Sequence, residues 1–147
     1  MIDLFLSAFI TFFVVIDPPG CAPIYASLTK GANAAQRRNM AFRAVMVASG
    51  ILLVFALFGE QLLSALHIEL NSFRIAGGIM LFLIAIDMVF EKRTERREER
   101  AQKILETPEI EDVSVFPMAM PMIAGPGSIA SVMLLMSQNS GVDRAGV

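Results

Sequence analysis

Phe73–Phe90 reads FRIAGGIMLFLIAIDMVF, with one base near its start, Arg74, and one acid near its end, Asp87. At 1.5 Å per residue such a helix rises about 27 Å. That is close to the hydrocarbon thickness of a bilayer, about 30 Å. A core helix of a water-soluble domain is shorter and carries a polar stripe along one side. This stretch carries almost none and predicts a membrane-spanning helix. Three more segments read the same way: Leu4 to about Thr29, Met40–Leu66 and Val113–Met136. The fold class is therefore all-α, a polytopic bundle of transmembrane helices.

The rest of the composition agrees. The chain has 147 residues, 55% of them hydrophobic, with a mean hydropathy of +0.62. Only 18% are charged, against about a quarter in soluble domains, and most of those lie between Glu91 and Asp112. The net charge of -2 argues neither for nor against nucleic acid, but no basic stripe interleaved with aromatics is present, so no nucleic acid is expected as a partner. A single cysteine, Cys21, makes no intrachain disulfide, and the one histidine, His67, has no neighbouring ligands, so no metal and no cofactor are expected. No nucleophile–base pair at membrane depth is visible, so the chain does not read as an enzyme. The first apolar stretch opens on Met1-Ile2-Asp3, which is acidic, and reads as retained rather than as a cleaved signal peptide.

Orientation follows from the basic loops. Lys30, Arg37 and Arg38 follow the first span, and six bases from Lys92 to Lys103 follow the third. The loop His67–Ser72 has none. Spans alternate sides, so the two basic loops share the cytoplasmic side and the N-terminus lies outside. The division expected is 1–90 as a first three-span repeat, 91–112 as a charged cytoplasmic linker, and 113–147 as the start of a second repeat. The linker reads as a solvated helix that continues the third span as far as Pro108.

Two of the four spans are interrupted. Asp17-Pro18-Pro19-Gly20 breaks the first: a residue before proline is pushed out of the α region, and prolines suit a first helical turn. One helix should stop near Ile16 and another start at Pro18 or Pro19, with Asp17 as its N-cap. Leu4–Ile16 is only about 20 Å of helix, so the break falls within the hydrocarbon. Gly125-Pro126-Gly127-Ser128 breaks the fourth span, with Pro117 and Pro121 in its approach. Three spans separate the two breaks, an odd number, so the units they belong to lie upside down relative to each other. Inverted-repeat transporters are built this way, with the solute site where the discontinuous helices meet.

Each break opens a half-helix whose N-terminus is partly positive. Asp17 compensates the first; the second has no acid, which leaves its amides and the Ser128 hydroxyl for an anion. The candidate substrate-binding residues are therefore Asp17, Pro18, Gly20, Gly125, Pro126, Gly127 and Ser128. The second break would take a substrate carboxylate while Asp17 faces an ammonium or a coupling cation. The plainer reading is two packing kinks, with Asp17 a structural cap. Asp87 and Glu60 read as near-interface residues, and Ala76-Gly77-Gly78 as a site where another helix approaches closely.

The same residues carry a resemblance. Asp17-Pro18-Pro19-Gly20-Cys21-Ala22-Pro23-Ile24, Phe73-Arg74-Ile75-Ala76-Gly77-Gly78-Ile79, and Phe116-Pro117-Met118-Ala119-Met120-Pro121 running into Ala124-Gly125-Pro126-Gly127-Ser128-Ile129 together resemble the MarC family. The resemblance implies a bacterial inner-membrane protein of six helices in two repeats. Some relatives are described as transporters of small neutral amino acids, so a small amino acid is the substrate it implies. Family members continue for two more spans, whereas this chain continues from Ser137 into small and polar residues. The second repeat is thus expected to be incomplete, in a fragment or a shortened product. The leading expectation is a transporter of small solutes, the bilayer its first partner and an oligomer an open alternative. Against it stands a non-transporting membrane subunit or truncated remnant.

Overall fold

The computed structural model describes residues 2–90, 92–105 and 112–138. Among them there are helices and no strands. Helix α1 (Ile2–Ile16) and α2 (Pro18–Leu28) form the first broken span, bent by 41°. Then follow α3 (Ala34–Ala65), α4 (Leu70–Val89) and α5 (Lys92–Leu105). The second broken span is a proline-rich segment, Ser114–Ile123, leading into α6 (Pro126–Gln138) at a bend of 53°. The four expected spans are all present, two of them as bent pairs.

Local chemistry sets the boundaries. Asn33 and Gln36 form a reciprocal capping box at the start of α3, each side chain accepting the other's backbone N–H at 2.9 Å. Pro18 and Pro126 open α2 and α6, where a missing N–H costs nothing. The segment Ser114–Ile123 is not a regular helix. Phe116 and Met120 are extended (φ -125, ψ 126 and φ -133, ψ 126) because each precedes a proline, through a cis peptide bond.

Helix α6 is the central element and packs against α1, α3 and α4. Small residues bring the helices close, as expected where lipid supplies no hydrophobic drive between them. A Cβ on Gly59 of α3 would lie 2.9 Å from Met133, and one on Gly77 of α4 would lie 3.1 Å from Leu134. Gly77 therefore does what the Ala76-Gly77-Gly78 run predicts, while Gly78 faces open space. Gly77→Leu is expected to cost about 1–3 kcal/mol through overpacking. Gly78→Leu should stay within about 0.5 kcal/mol of the parent; unfolding in mixed detergent micelles measures both.

The linker is the main correction to the sequence reading. It does not continue α4. Arg96 and Asp87 pair at 2.7 Å, although residues nine apart on one continuous helix would be separated by about 13 Å along its axis. The chain turns at Phe90, and α5 folds back against α4 and α2. The expected stop at Pro108 lies outside the described residues.

The lengths differ usefully. Helix α4, with 20 residues, measures about 30 Å, and α3, with 32 residues, about 48 Å. A short loop around His67 joins their neighbouring ends, so the surplus of α3 lies at the other end, with Arg37, Arg38 and Arg43.

Candidate functional site

The first break is held by its own freed groups. Asp17 takes a left-handed conformation, φ 56 and ψ 65, which ends α1 and starts α2 in one residue. The Gly20 amide donates to Asp17 Oδ1 at 3.2 Å, the expected N-cap. In an unbroken helix that amide would serve the Ile16 carbonyl. Ile16 instead accepts from Cys21 Sγ and from Arg97 Nη2, each at 3.3 Å. Backbone groups released within a span need such substitutes.

Arg97 is the residue that the sequence reading missed. Its Nη1 donates to Asp17 Oδ2 at 3.0 Å, and its side chain is only 9% exposed against 20% for Asp17. The cation facing Asp17 in this structure is thus an internal guanidinium. The signal was faint: Arg97 lies four residues before Ala101, one turn away, within a run of fourteen mixed charges. Arg97 and Ala101 are both buried.

The second break is differently closed. Ser128 Oγ donates to the Ile123 carbonyl at 2.7 Å. Its hydroxyl proton is spent on the backbone, which corrects the expectation of a free donor. The amides of Gly127 and Ser128, in the first turn of α6, are the donors available to a ligand. Ser128 is buried, so Ser128→Ala should cost about 1–3 kcal/mol by leaving the Ile123 carbonyl without its partner; thermal unfolding in detergent reads the loss.

The two breaks meet. A Cβ on Gly127 would lie 2.7 Å from Ile84 Cδ1 and 3.2 Å from Val15 Cγ1, and Val15 is in the last turn of α1. Ala124, just before the second break, packs with Ala48, Ile51 and Leu52 at the middle of α3. Ile84 lies five residues, about 8 Å, before the end of α4. The breaks are therefore inside the apolar segments and nearer the side of the basic loops. That position lets a helix as charged as α5 reach them from water.

Beside them is a cavity of about 690 Å³. Gly125, Pro126, Gly127 and Ser128 form one wall, Arg96 and Arg97 of α5 another, and Met80, Ile84 and Asp87 of α4 a third. Of the residues expected from sequence, the four of the second break line it. Asp17 meets it through Arg97, whereas Pro18 and Gly20 are not among its walls. Asp87, two residues before the end of α4 where it is expected, supplies the carboxylate among the lining residues and pairs with Arg96. The arrangement offers first-turn amides and two guanidiniums to an anionic group, and a carboxylate to a cationic one.

Comparison with known proteins fits this architecture. Residues 2–147 match the MarC family of integral membrane proteins. A UPF0056 membrane protein of Methanocaldococcus jannaschii is 38% identical over 144 residues, covering 96% of this chain and 68% of its own length. YvbG of Bacillus subtilis, another UPF0056 membrane protein, is 36% identical over 97% of this chain and 67% of its own. YhcE of Escherichia coli is 34% identical over 89% of this chain and 60% of its own. The chain thus spans about two thirds of the length of the relatives it matches. No solved structure matches. With a helical membrane architecture, two proline–glycine breaks and a match along almost its whole length, the chain belongs to the MarC family of integral membrane proteins.

Proposed function

We propose that this chain holds the solute site of a plasma-membrane transporter for small zwitterions, neutral amino acids being the class that fits best. The observation that carries the reading is the cavity that the α6 N-terminus shares with Arg96, Arg97 and Asp87. Charges buried within the apolar segments are costly unless paired, as Arg97 is with Asp17, whereas Arg96 is 63% exposed. A zwitterion can open the Arg96–Asp87 pair, whose side chains are 63% and 26% exposed, and replace both partners: its carboxylate takes the guanidinium and the α6 amides, and its ammonium takes Asp87. A lone anion or a lone cation would strand one member of the pair. In this scheme the ammonium role passes from Asp17 to Asp87, which lines the cavity, and a coupling cation would compete for the same carboxylate. The distribution of bases supports a cytoplasmic α5 and an outside N-terminus.

The test uses purified chain in lipid nanodiscs, titrated with labelled alanine and with propionate and ethylamine as its two halves. Alanine should bind saturably and more tightly than either half. Asp87→Asn should weaken it about tenfold, a loss near 1.4 kcal/mol. Equal binding of all three compounds, or of none, overturns the zwitterion site. Saturable binding without uptake into vesicles would instead favour a non-transporting subunit.

A further inference from the structure

We infer that α5 is a movable lid, latched over the first break and the cavity by Arg96 and Arg97, and that its release opens the cavity toward the side of the basic loops. This goes beyond the transport reading and does not rest on it, because the lid is defined and tested without a solute.

The chemistry of the break explains the inner latch. In an α-helix each carbonyl is closed by the amide four residues on. Pro18 and Pro19 have no N–H to give to the carbonyls of Val14 and Val15, and the Gly20 amide, which would serve Ile16, turns to Asp17 instead. The end of α1 thus gathers carbonyls at the negative pole of a helix, with a carboxylate beside them. Such a place draws a cation, and the one it holds is the Arg97 guanidinium. That group donates to Asp17 Oδ2 at 3.0 Å and to the Ile16 carbonyl at 3.3 Å, two donors of one rigid fork on two acceptors. The outer latch, Arg96 to Asp87 at 2.7 Å, ties the same turn of α5 to α4.

Polar latches are most of what holds this helix. Among its described side chains, Glu95 to Glu99 and Ala101 to Lys103, only Arg97 and Ala101 are buried. Helix α6, by contrast, buries seven of its thirteen residues. The cost of undocking a helix scales with the apolar area it uncovers, and along this stretch that area is small. Glu95, Glu98, Glu99, Gln102 and Lys103 are exposed in the docked state and stay solvated in the released one. The inner pair straddles the seam between lid and body. Release of α5 takes Arg97 into water and opens Asp17 to it, so neither charge is left buried and alone. The cavity shows what release uncovers: with the Arg96 and Arg97 wall gone, the start of α6 and Asp87 lie open. The lid also covers a reporter. Cys21 is buried, its Sγ donates to the same Ile16 carbonyl as Arg97, and it packs in one cluster with Ala101.

The test is the rate at which a water-soluble maleimide modifies Cys21 in the purified chain in detergent micelles, read by mass. The comparison is Met40→Cys combined with Cys21→Ser, a thiol similarly buried in the same cluster but carried by α3. Cys21 should react several-fold faster than the Met40→Cys thiol, because a lid opens more readily than the whole fold. Arg97→Gln should speed Cys21 by about tenfold or more, as expected for a cut buried pair. Arg96→Gln, which leaves the buried pair in place, should speed it about two- to threefold. Glu98→Gln removes an exposed charge of α5 outside both latches and should leave the rate at that of the parent. Equal rates for Cys21 and the Met40→Cys thiol, in the parent or with Arg97→Gln added, would mean that only general unfolding uncovers Cys21, and would overturn the lid. So would Arg97→Gln and Arg96→Gln variants whose Cys21 reacts no faster than in the parent.

Discussion

Asp17→Asn is expected to destabilise the folded chain by about 3–5 kcal/mol, the range for breaking a buried ion pair from one side. Asparagine keeps an oxygen for the Gly20 amide and is as good an N-cap as aspartate, so the α2 start survives. What is lost is the partner of Arg97, whose side chain is only 9% exposed. The reverse change, Arg97→Gln, should also destabilise, because it leaves the partly buried Asp17 carboxylate without its ion-pair partner. The double variant should fall well short of the sum of the two, since the residues share one interaction. Unfolding in mixed micelles, followed by near-ultraviolet circular dichroism, measures all three. An Asp17→Asn variant as stable as the parent would mean that Arg97 finds water at that depth.

The second large effect is expected at Gly125. A Cβ there would lie 2.3 Å from the carbonyl oxygen of Pro121. The obstructing atom is backbone, held in a segment whose Met118, Ala119 and Met122 are buried against α3, so no rotamer change relieves the clash. Gly125→Ala should cost about 3 kcal/mol or more, at the upper end of overpacking effects, and should abolish ligand binding in the cavity by displacing the α6 N-terminus. Gly20→Ala makes a useful contrast. Its Cβ would meet the Asp17 carboxylate at 2.2 Å, a side chain that can swing aside, though only by leaving Arg97. Binding and thermal stability measured on both variants separate a backbone obstruction from a side-chain one.

How much of this was legible in the sequence depends on how local the determinant is. The stop at Ile16 and restart at Pro18 are dictated by Asp17-Pro18-Pro19, because proline geometry acts on its immediate neighbours. The spans were legible from length and apolarity alone. The close approach at Gly77 was legible too, but not which of Gly77 and Gly78 makes it, since that depends on how α4 is rotated toward Leu134. The site was half legible. Gly125-Pro126-Gly127-Ser128 does line the cavity, yet the Ser128 hydroxyl turned inward to Ile123, as a residue near a helix start does when a carbonyl within reach has lost its partner. The role of α5 was hidden. A run of mixed charges reads as a solvated face, and only the reversal at Phe90, a tertiary event, brings Arg97 to Asp17.

The unequal lengths of α3 and α4 make the molecule sensitive to its host bilayer. Helix α4 matches a hydrocarbon layer of about 30 Å, and α3 overshoots it by about 18 Å along its axis. In a thicker bilayer it is the arginine-bearing end that is drawn down among the headgroups, and in a thinner one it stands further clear. Arg43 on that end grips Asp112 at 2.6 Å, immediately ahead of the segment that leads to the second break. The Arg43–Asp112 pair thus ties the protruding end of α3 to the start of the segment that leads to the cavity wall.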